Sequence, residues 1–226
     1  MIKIALILLS ALPLFAGFFP STVHTSVSSA TADTLTLRSS FPANGISGVV
    51  IHHYGSDLQA ITAYIAQTSP GHAEVISRDI IHHEELPTIK TPVKAGDTVI
   101  GGYLYHNVLL LAPDADTYSK ITASYSKSWI HPDLFAIYLS KRGDAFPTRE
   151  NLAAFAKAYQ IGLIAIVRKN DLVLLDPISG KIISKKAIGN LPAQAQFPFY
   201  MHFEEIRTGW FAKGGSGNYY QTMESL

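Results

Sequence analysis

Residues 93–114, VKAGDTVIGGYLYHNVLLLAPD, decide how the chain is read. Gly96-Asp97 is a turn pair, and the apolar run Val99 to Tyr105 follows it. His106-Asn107 interrupts that run, Val108 to Leu111 resumes it, and Ala112-Pro113-Asp114 ends it. Two β-rich runs around a two-residue polar break have the pattern of a hairpin. Asn107 suits the turn, because its short polar side chain tolerates a left-handed backbone. The unbroken second arm predicts a strand covered on both faces. A central hairpin over 93–114 is therefore expected.

Upstream, Thr34–Leu37, Ile46–Tyr54, Asp57–Ala66 and Ala73–Ile81 read as strands, although Ala60 and Ala63 would equally suit a helix. Pro87 and Pro92 bracket an extended connection into the hairpin. Downstream the period changes. Asp114 can cap a helix over Ala115–Tyr125, which puts Tyr118, Ile121 and Tyr125 on one face. His131-Pro132-Asp133 leads into an expected strand, Leu134–Ser140. Thr148 caps a second helix, Arg149–Gln160, with Glu150 in the first turn and Leu152, Phe155, Ala156 and Tyr159 as its apolar stripe. Gly162 stops it. Leu163–Val167, Leu172–Leu175 and Lys181–Ala187 follow as strands joined by turns. The expected fold class is α+β: a β-rich first half with the central hairpin, then a βαβ-like unit over Leu134–Val167 with two further hairpin-linked strands. One domain over 31–226 is expected. It divides into a β-rich subdomain 31–113, an α/β subdomain 114–212 and a loose tail 213–226.

Composition narrows the function classes. The 226 residues are 47% hydrophobic, enough for a substantial core. Net charge is +1 and no basic stripe occurs, so there is no electrostatic footprint for nucleic acid. No cysteine is present, which excludes disulfides, thiolate metal sites, a cysteine nucleophile and a lipoprotein anchor. Met1-Ile2-Lys3 followed by the apolar run Ile4–Phe19 has the layout of a secretory signal peptide. The run is shorter than the roughly 20 residues of a spanning helix. Ser28-Ser29-Ala30 and Ala30-Thr31-Ala32 offer small-x-small cleavage sites, so residues 1–30 are expected to leave and the mature chain to begin near Thr31. No membrane span is expected after signal removal. The protein is expected to be exported, to the periplasm or the outer cell surface.

Residues that could carry chemistry are few. The pairs His52-His53 and His82-His83, the latter followed by Glu84-Glu85, could join His72, His106, His131 and His202 in a metal site. Neighbours on a strand point to opposite faces, so each pair offers one ligand per face, and no His-Glu-x-x-His occurs. Exposed or edge-strand histidines are the expected reading, and a histidine-based metal carrier stays a minor alternative. Gly214-Gly215-Ser216-Gly217 lacks the Gly-x-Ser-x-Gly pattern and reads as a linker. Gly101-Gly102 precedes no helix, so it reads as a bulge or close backbone approach rather than a dinucleotide loop. Asp97, Asp114, Asp116, Asp133, Asp144, Asp171 and Asp176 fall in turns and caps. The aromatics Phe197, Phe199, Tyr200, Phe203, Trp210 and Phe211 are expected to complete the core. No catalytic, cofactor-binding or metal residue is assigned, no cofactor is expected, and an enzyme is the least supported class.

A set of ordered landmarks resembles the amino-terminal domain of a family of bacterial plasminogen-binding surface proteins. They are Phe41-Pro42-Ala43, Leu86-Pro87-Thr88, Val93 with Gly96-Asp97, and Leu110 to Asp114 with Tyr118 and Ile121. Ile161 to Ile164 with Ile166-Val167, then Gly215-Ser216 with Asn218-Tyr219, complete them. The resemblance implies an exported, non-enzymatic protein whose partner is host plasminogen or a bacterial envelope protein. The alternative is a periplasmic envelope-assembly or cell-wall module. Kringle modules of plasminogen recognise a lysine-like zwitterion, and longer family members continue into a Lys/Glu-rich tail. This sequence ends at Glu224-Ser225-Leu226, so internal lysines such as Lys181, Lys185, Lys186 and Lys213 are the expected substitutes.

Overall fold

The computed structural model describes residues 17–55, 57–78, 91–206 and 217–226. Six strands make the first layer: β1 (Val23–Ala30), β2 (Thr34–Leu37), β3 (Ser47–Tyr54), β4 (Leu58–Ser69), β5 (His72–Ser77) and β6 (Thr98–Gly101). They close an antiparallel barrel in the order β1-β2-β5-β4-β3-β6, with β6 returning to pair with β1. Alternation supplies the inner face. Leu35 and Leu37 of β2, Val27 of β1, Ala63 and Ile65 of β4 and Val99 of β6 are all buried. Closure leaves no strand edge unpaired, and register shifts at Val27/Ser29 and Val50/Ile51 bend the strands to allow it.

The second layer is a sheet of β7 (Asn107–Leu111), β8 (Ser128–Ile130), β9 (Leu163–Val167), β10 (Asp171–Asp176) and β11 (Lys181–Ala187), in the order β11-β10-β9-β7-β8. β7 pairs in parallel with both β8 and β9. Parallel neighbours need crossovers. Helix α1 (Ala115–Ser124) crosses to β8, and α2 (Pro132–Arg142) with α3 (Arg149–Tyr159) crosses to β9. Val108, Leu110, Ala165, Val167, Leu172 and Leu174 pack in one cluster with the barrel interior. Leu109, Leu111, Ile164, Ile166, Val173 and Leu175 pack with α2, α3 and a last helix, α4 (Tyr219–Ser225). Both faces of the central strands are therefore covered, as their unbroken apolar sequences demand. Among the described residues, no helix is long and apolar enough to cross a membrane.

The α+β class holds, but several expected details do not. Residues 93–114 are not a hairpin: β6 pairs with β1 and β3, whereas β7 pairs with β8 and β9. The stretch is the passage from barrel to sheet, turned by Gly102 (φ 68°) and Leu104 (φ 62°). β7 is apolar throughout because both of its faces are covered, while β6 alternates buried and half-buried residues, and local sequence does not say which strands either one pairs with. The passage between the two layers thus falls at 102–106. Leu134–Ser140 is helix, not strand, so the unit over Leu134–Val167 is helix-helix-strand and the parallel pairing begins at β7. Pro132 at the helix start, Gly143 in left-handed backbone at its end, and burial of Phe135, Ala136 and Leu139 decide it.

The described parts of both chain ends are packed. β1 lies inside the stretch expected to be removed, and Val27 is fully buried, so a start at Thr31 would open the barrel. Phe18 and Phe19 also pack against the core, with the Phe19 ring against Tyr125 and Trp129. The described part of the expected loose tail, 217–226, carries α4, whose Tyr219, Met223 and Leu226 are buried. The single Tyr219 hydroxyl proton is shared between the carbonyls of Val167 (2.7 Å) and Leu111 (3.0 Å), which ties α4 to the ends of β7 and β9.

Candidate functional site

Two polar constellations stand out. The first joins the layers. Asp176 closes β10 with its side chain fully buried. Its carboxylate accepts from the Tyr105 hydroxyl (2.5 Å) and the Ser47 amide (2.7 Å), and from the amides of Ile178 and Ser179 in the following turn. Burial, then the adjacent Asp176 charge, pushes the Tyr105 phenol far above its ordinary range and keeps it protonated. Above the joint, the passage presses on Gly162, where a Cβ would sit 2.2 Å from the Leu104 carbonyl oxygen. Gly101 meets the Phe41 ring in the same way, the close approach that Gly101-Gly102 was expected to provide. This constellation is enclosed and both oxygens of the Asp176 carboxylate are paired, with the buried Ser47 hydroxyl left without a hydrogen-bond partner among the described residues, so it holds the fold.

The second lies at the start of α2. His131 is the N-cap, and its Nδ1 accepts from the Asp133 amide (3.2 Å). Asp133 turns its carboxylate to the segment after the core aromatic Phe199. Its Oδ1 accepts from the His202 amide (2.9 Å), and its Oδ2 lies 2.8 Å from His202 Nδ1 and 3.4 Å from His131 Nδ1. The two imidazoles stack, with centroids 4.7 Å apart and planes at 10°. Tyr200 reaches His202 Nε2 through its hydroxyl (3.1 Å), and Tyr118 lies against both His131 and Tyr200. Burial alone would raise the Asp133 carboxyl, but the His202 hydrogen bonds and the two imidazoles hold it below the ordinary carboxylate range. His202 also lines a cleft of about 620 Å³ with Ala136, Ile137, Ser140 and Phe203.

The histidines expected to meet through the pairs are distributed otherwise. His52 bonds Asp97 through Nδ1 (2.7 Å), and Asp97 also accepts from the Lys94 amide (2.8 Å), so this pair fixes the turn before β6. His53 approaches the Thr98 hydroxyl (3.3 Å), while His72 and His106 are exposed and apart. His82, His83, Glu84 and Glu85 lie outside the described residues, as do Trp210, Phe211, Lys213 and Gly214 to Ser216. Only His131 and His202 of the histidine set converge among the described residues, and Asp133 brings them together. The role of Asp133 was hidden by reading 134–140 as a strand; Pro132 followed by Asp133 is the helix-start signal that could have shown it. Asp114 does cap α1, accepting from the Thr117 amide (2.8 Å).

The description "Plasminogen-binding protein pgbA N-terminal" matches residues 22–226. The chain belongs to this family. Two similar proteins are named Plasminogen-binding protein PgbA, both from Helicobacter pylori: strain J99, 29% identical, and strain 26695, 28% identical. Each alignment runs over 147 residues, 62% of this chain and 32% of the relative. The chain therefore spans about a third of the length of the curated relatives it matches. No solved structure matches the chain. The family match begins at residue 22, one residue before β1, and takes in every strand of the described residues. The described landmark positions are structural ones: Phe41 on Gly101, Asp97 in its turn, Asp114 at its cap, Gly162 under the passage and Tyr219 on the sheet ends.

Proposed function

We propose that this chain is an exported binding domain that acts through protein contact and performs no catalysis, with plasminogen as its first candidate ligand. Membership of the plasminogen-binding family over 22–226 is the observation that carries the reading. A kringle would need an accessible ammonium. Lys185 is ion-paired with Asp171 (2.9 Å), and Lys186 bonds the Tyr125 hydroxyl (3.1 Å). Of the lysines named from the sequence, Lys181, at the start of edge strand β11, is exposed and has no ion pair among the described residues, a property it shares with Lys141, Lys157 and Lys169, so it is the first ammonium to test. The test is binding of the purified protein to immobilised plasminogen, with a free lysine analogue as competitor. Saturable binding that the analogue displaces, and that Lys181→Ala weakens, supports the reading. Binding that the analogue leaves untouched overturns the kringle mechanism, and no binding overturns plasminogen as ligand.

The extent of the match favours a second reading. The aligned region is a third of each relative, so the plasminogen contact of those proteins can lie wholly outside it. The shared domain would then be a periplasmic envelope module with a bacterial protein partner. Protease treatment of intact cells separates the two: cleavage of this chain supports surface display, and full protection supports the periplasm. Export itself is read from the amino-terminal signal pattern. β1 then requires the signal to end upstream of Val23, and Ala16-Gly17 offers small residues immediately before the packed Phe18.

A further inference from the structure

We propose that His131, Asp133 and His202 form a binding site for a borderline divalent cation of the zinc class. The three side chains come from two separate segments, the cap of α2 and the strap after Phe199, yet one ligand atom of each lies within 4.8 Å of the others. Both Nδ1 atoms face the same carboxylate oxygen, at 2.8 and 3.4 Å. Adjacent ligand atoms in a tetrahedral site with bonds of about 2.0–2.1 Å stand about 3.3 Å apart, so the carboxylate spacings already fit, and rotation of the two imidazoles out of their stack turns both in-plane lone pairs onto one ion. Two imidazoles with one carboxylate select zinc-class ions over calcium or magnesium, which favour sites built from oxygen alone.

The surroundings complete the chemistry. Without metal, the carboxylate and the Asp133 amide occupy the two Nδ1 atoms. When the ion binds, His202 Nδ1 gives up its proton and Nε2 carries it, where the Tyr200 oxygen stands ready as acceptor at 3.1 Å. An outer partner of this kind fixes ring orientation in histidine metal sites. His131 exchanges its cap contact for the metal, and the bound ion then staples the strap to α2 directly. His202 is the most exposed of the three side chains, at 64%, so the site is reachable from solvent and water fills the open coordination position.

Zinc titration of the chelator-treated protein by calorimetry tests the assignment. One equivalent is expected to bind, with a rise in melting temperature. His202→Ala and Asp133→Asn are each expected to weaken binding at least tenfold, while His72→Ala and His106→Ala leave it unchanged. Nitrogen NMR is expected to move the Nδ1 signals of His131 and His202 together at one equivalent. If a variant loses its folded circular dichroism, His202→Asn and the NMR signals of the unaltered protein decide. Failure to bind zinc at about 100-fold the protein concentration overturns the proposal, as does binding that survives in the His131→Ala, His202→Ala double variant.

Discussion

Asp176 sits 129 residues from Ser47 and 71 from Tyr105 in the sequence, yet it accepts from both. Its turn role was legible, because Asp before Pro177-Ile178-Ser179 reads as a turn residue. Its joining role was not, since nothing local tells a carboxylate which distant donors will surround it. Tyr105→Phe removes one donor from a buried acceptor that keeps three, and we expect a loss of about 1–2 kcal/mol. Asp176→Ala strands all four donors inside the joint, and we expect about 3–5 kcal/mol. Urea unfolding of both variants checks the order; a Tyr105→Phe protein as unstable as Asp176→Ala would show that Asp176 does not act through the other three contacts. Gly162 makes the same point for a backbone. Gly162→Ala puts a Cβ 2.2 Å from the Leu104 oxygen, which no rotamer relieves, and soluble yield should collapse.

At the scale of elements, caps were read well and apolar runs poorly. Thr148 was read as the cap of α3, and it holds the Asn151 amide while Asn151 holds the Thr148 amide in return. Thr148→Ala should therefore lower stability by about 1 kcal/mol, visible as a shifted unfolding midpoint. The runs Leu134–Ser140 and Val99–Leu111 carried the right burial but the wrong partners. A short apolar run is compatible with a strand or a buried helix, and Pro132 was the discriminating residue. β1 was missed because the sequence from Ser21 to Ala30 is small and polar, like the end of a signal peptide. Its burial comes from pairing with β2 and β6, which lies outside any local window. Two chains test the consequence. One that starts at Phe18 should melt cooperatively, and one that starts at Thr31 should lack the cooperative transition. A cooperative melt from the Thr31 chain would remove β1 from the folding unit. The His131–Asp133–His202 cluster is hidden for the same reason, because it forms only when 132–142 is helix and its cap meets the segment after Phe199.

Across the whole molecule, one continuous cluster runs from the barrel interior to the face of the second sheet, with polar groups enclosed at the joint and at α4. Enclosed phenols make the fold sensitive to alkali. Burial pushes the Tyr219 hydroxyl well above its ordinary value, and burial with the Asp176 charge does the same to Tyr105. In the unfolded chain both ionise near pH ~10. Above that value the unfolded chain has lost two protons that the folded chain keeps, so stability falls as pH rises. Each phenol contributes a slope of about 1.4 kcal/mol per pH unit, about 2.8 for the pair. Lys127 acts in the opposite sense. Burial lowers its ammonium, so folding gains as pH climbs from that lowered value to the ordinary one near ~10.5. The net expectation is a stability that holds to about pH 10 and then drops steeply. Urea midpoints measured from about pH 9 to about pH 11.5 report it. Tyr105→Phe should start lower at neutral pH and lose stability less steeply with alkali, because the Tyr105 contribution is gone while Tyr219, and more weakly the part-buried Tyr64, Tyr118 and Tyr220, remain. Parallel alkaline slopes for the two proteins would mean that Tyr105 ionises in the folded chain, and the joint at Asp176 would not be closed to hydroxide.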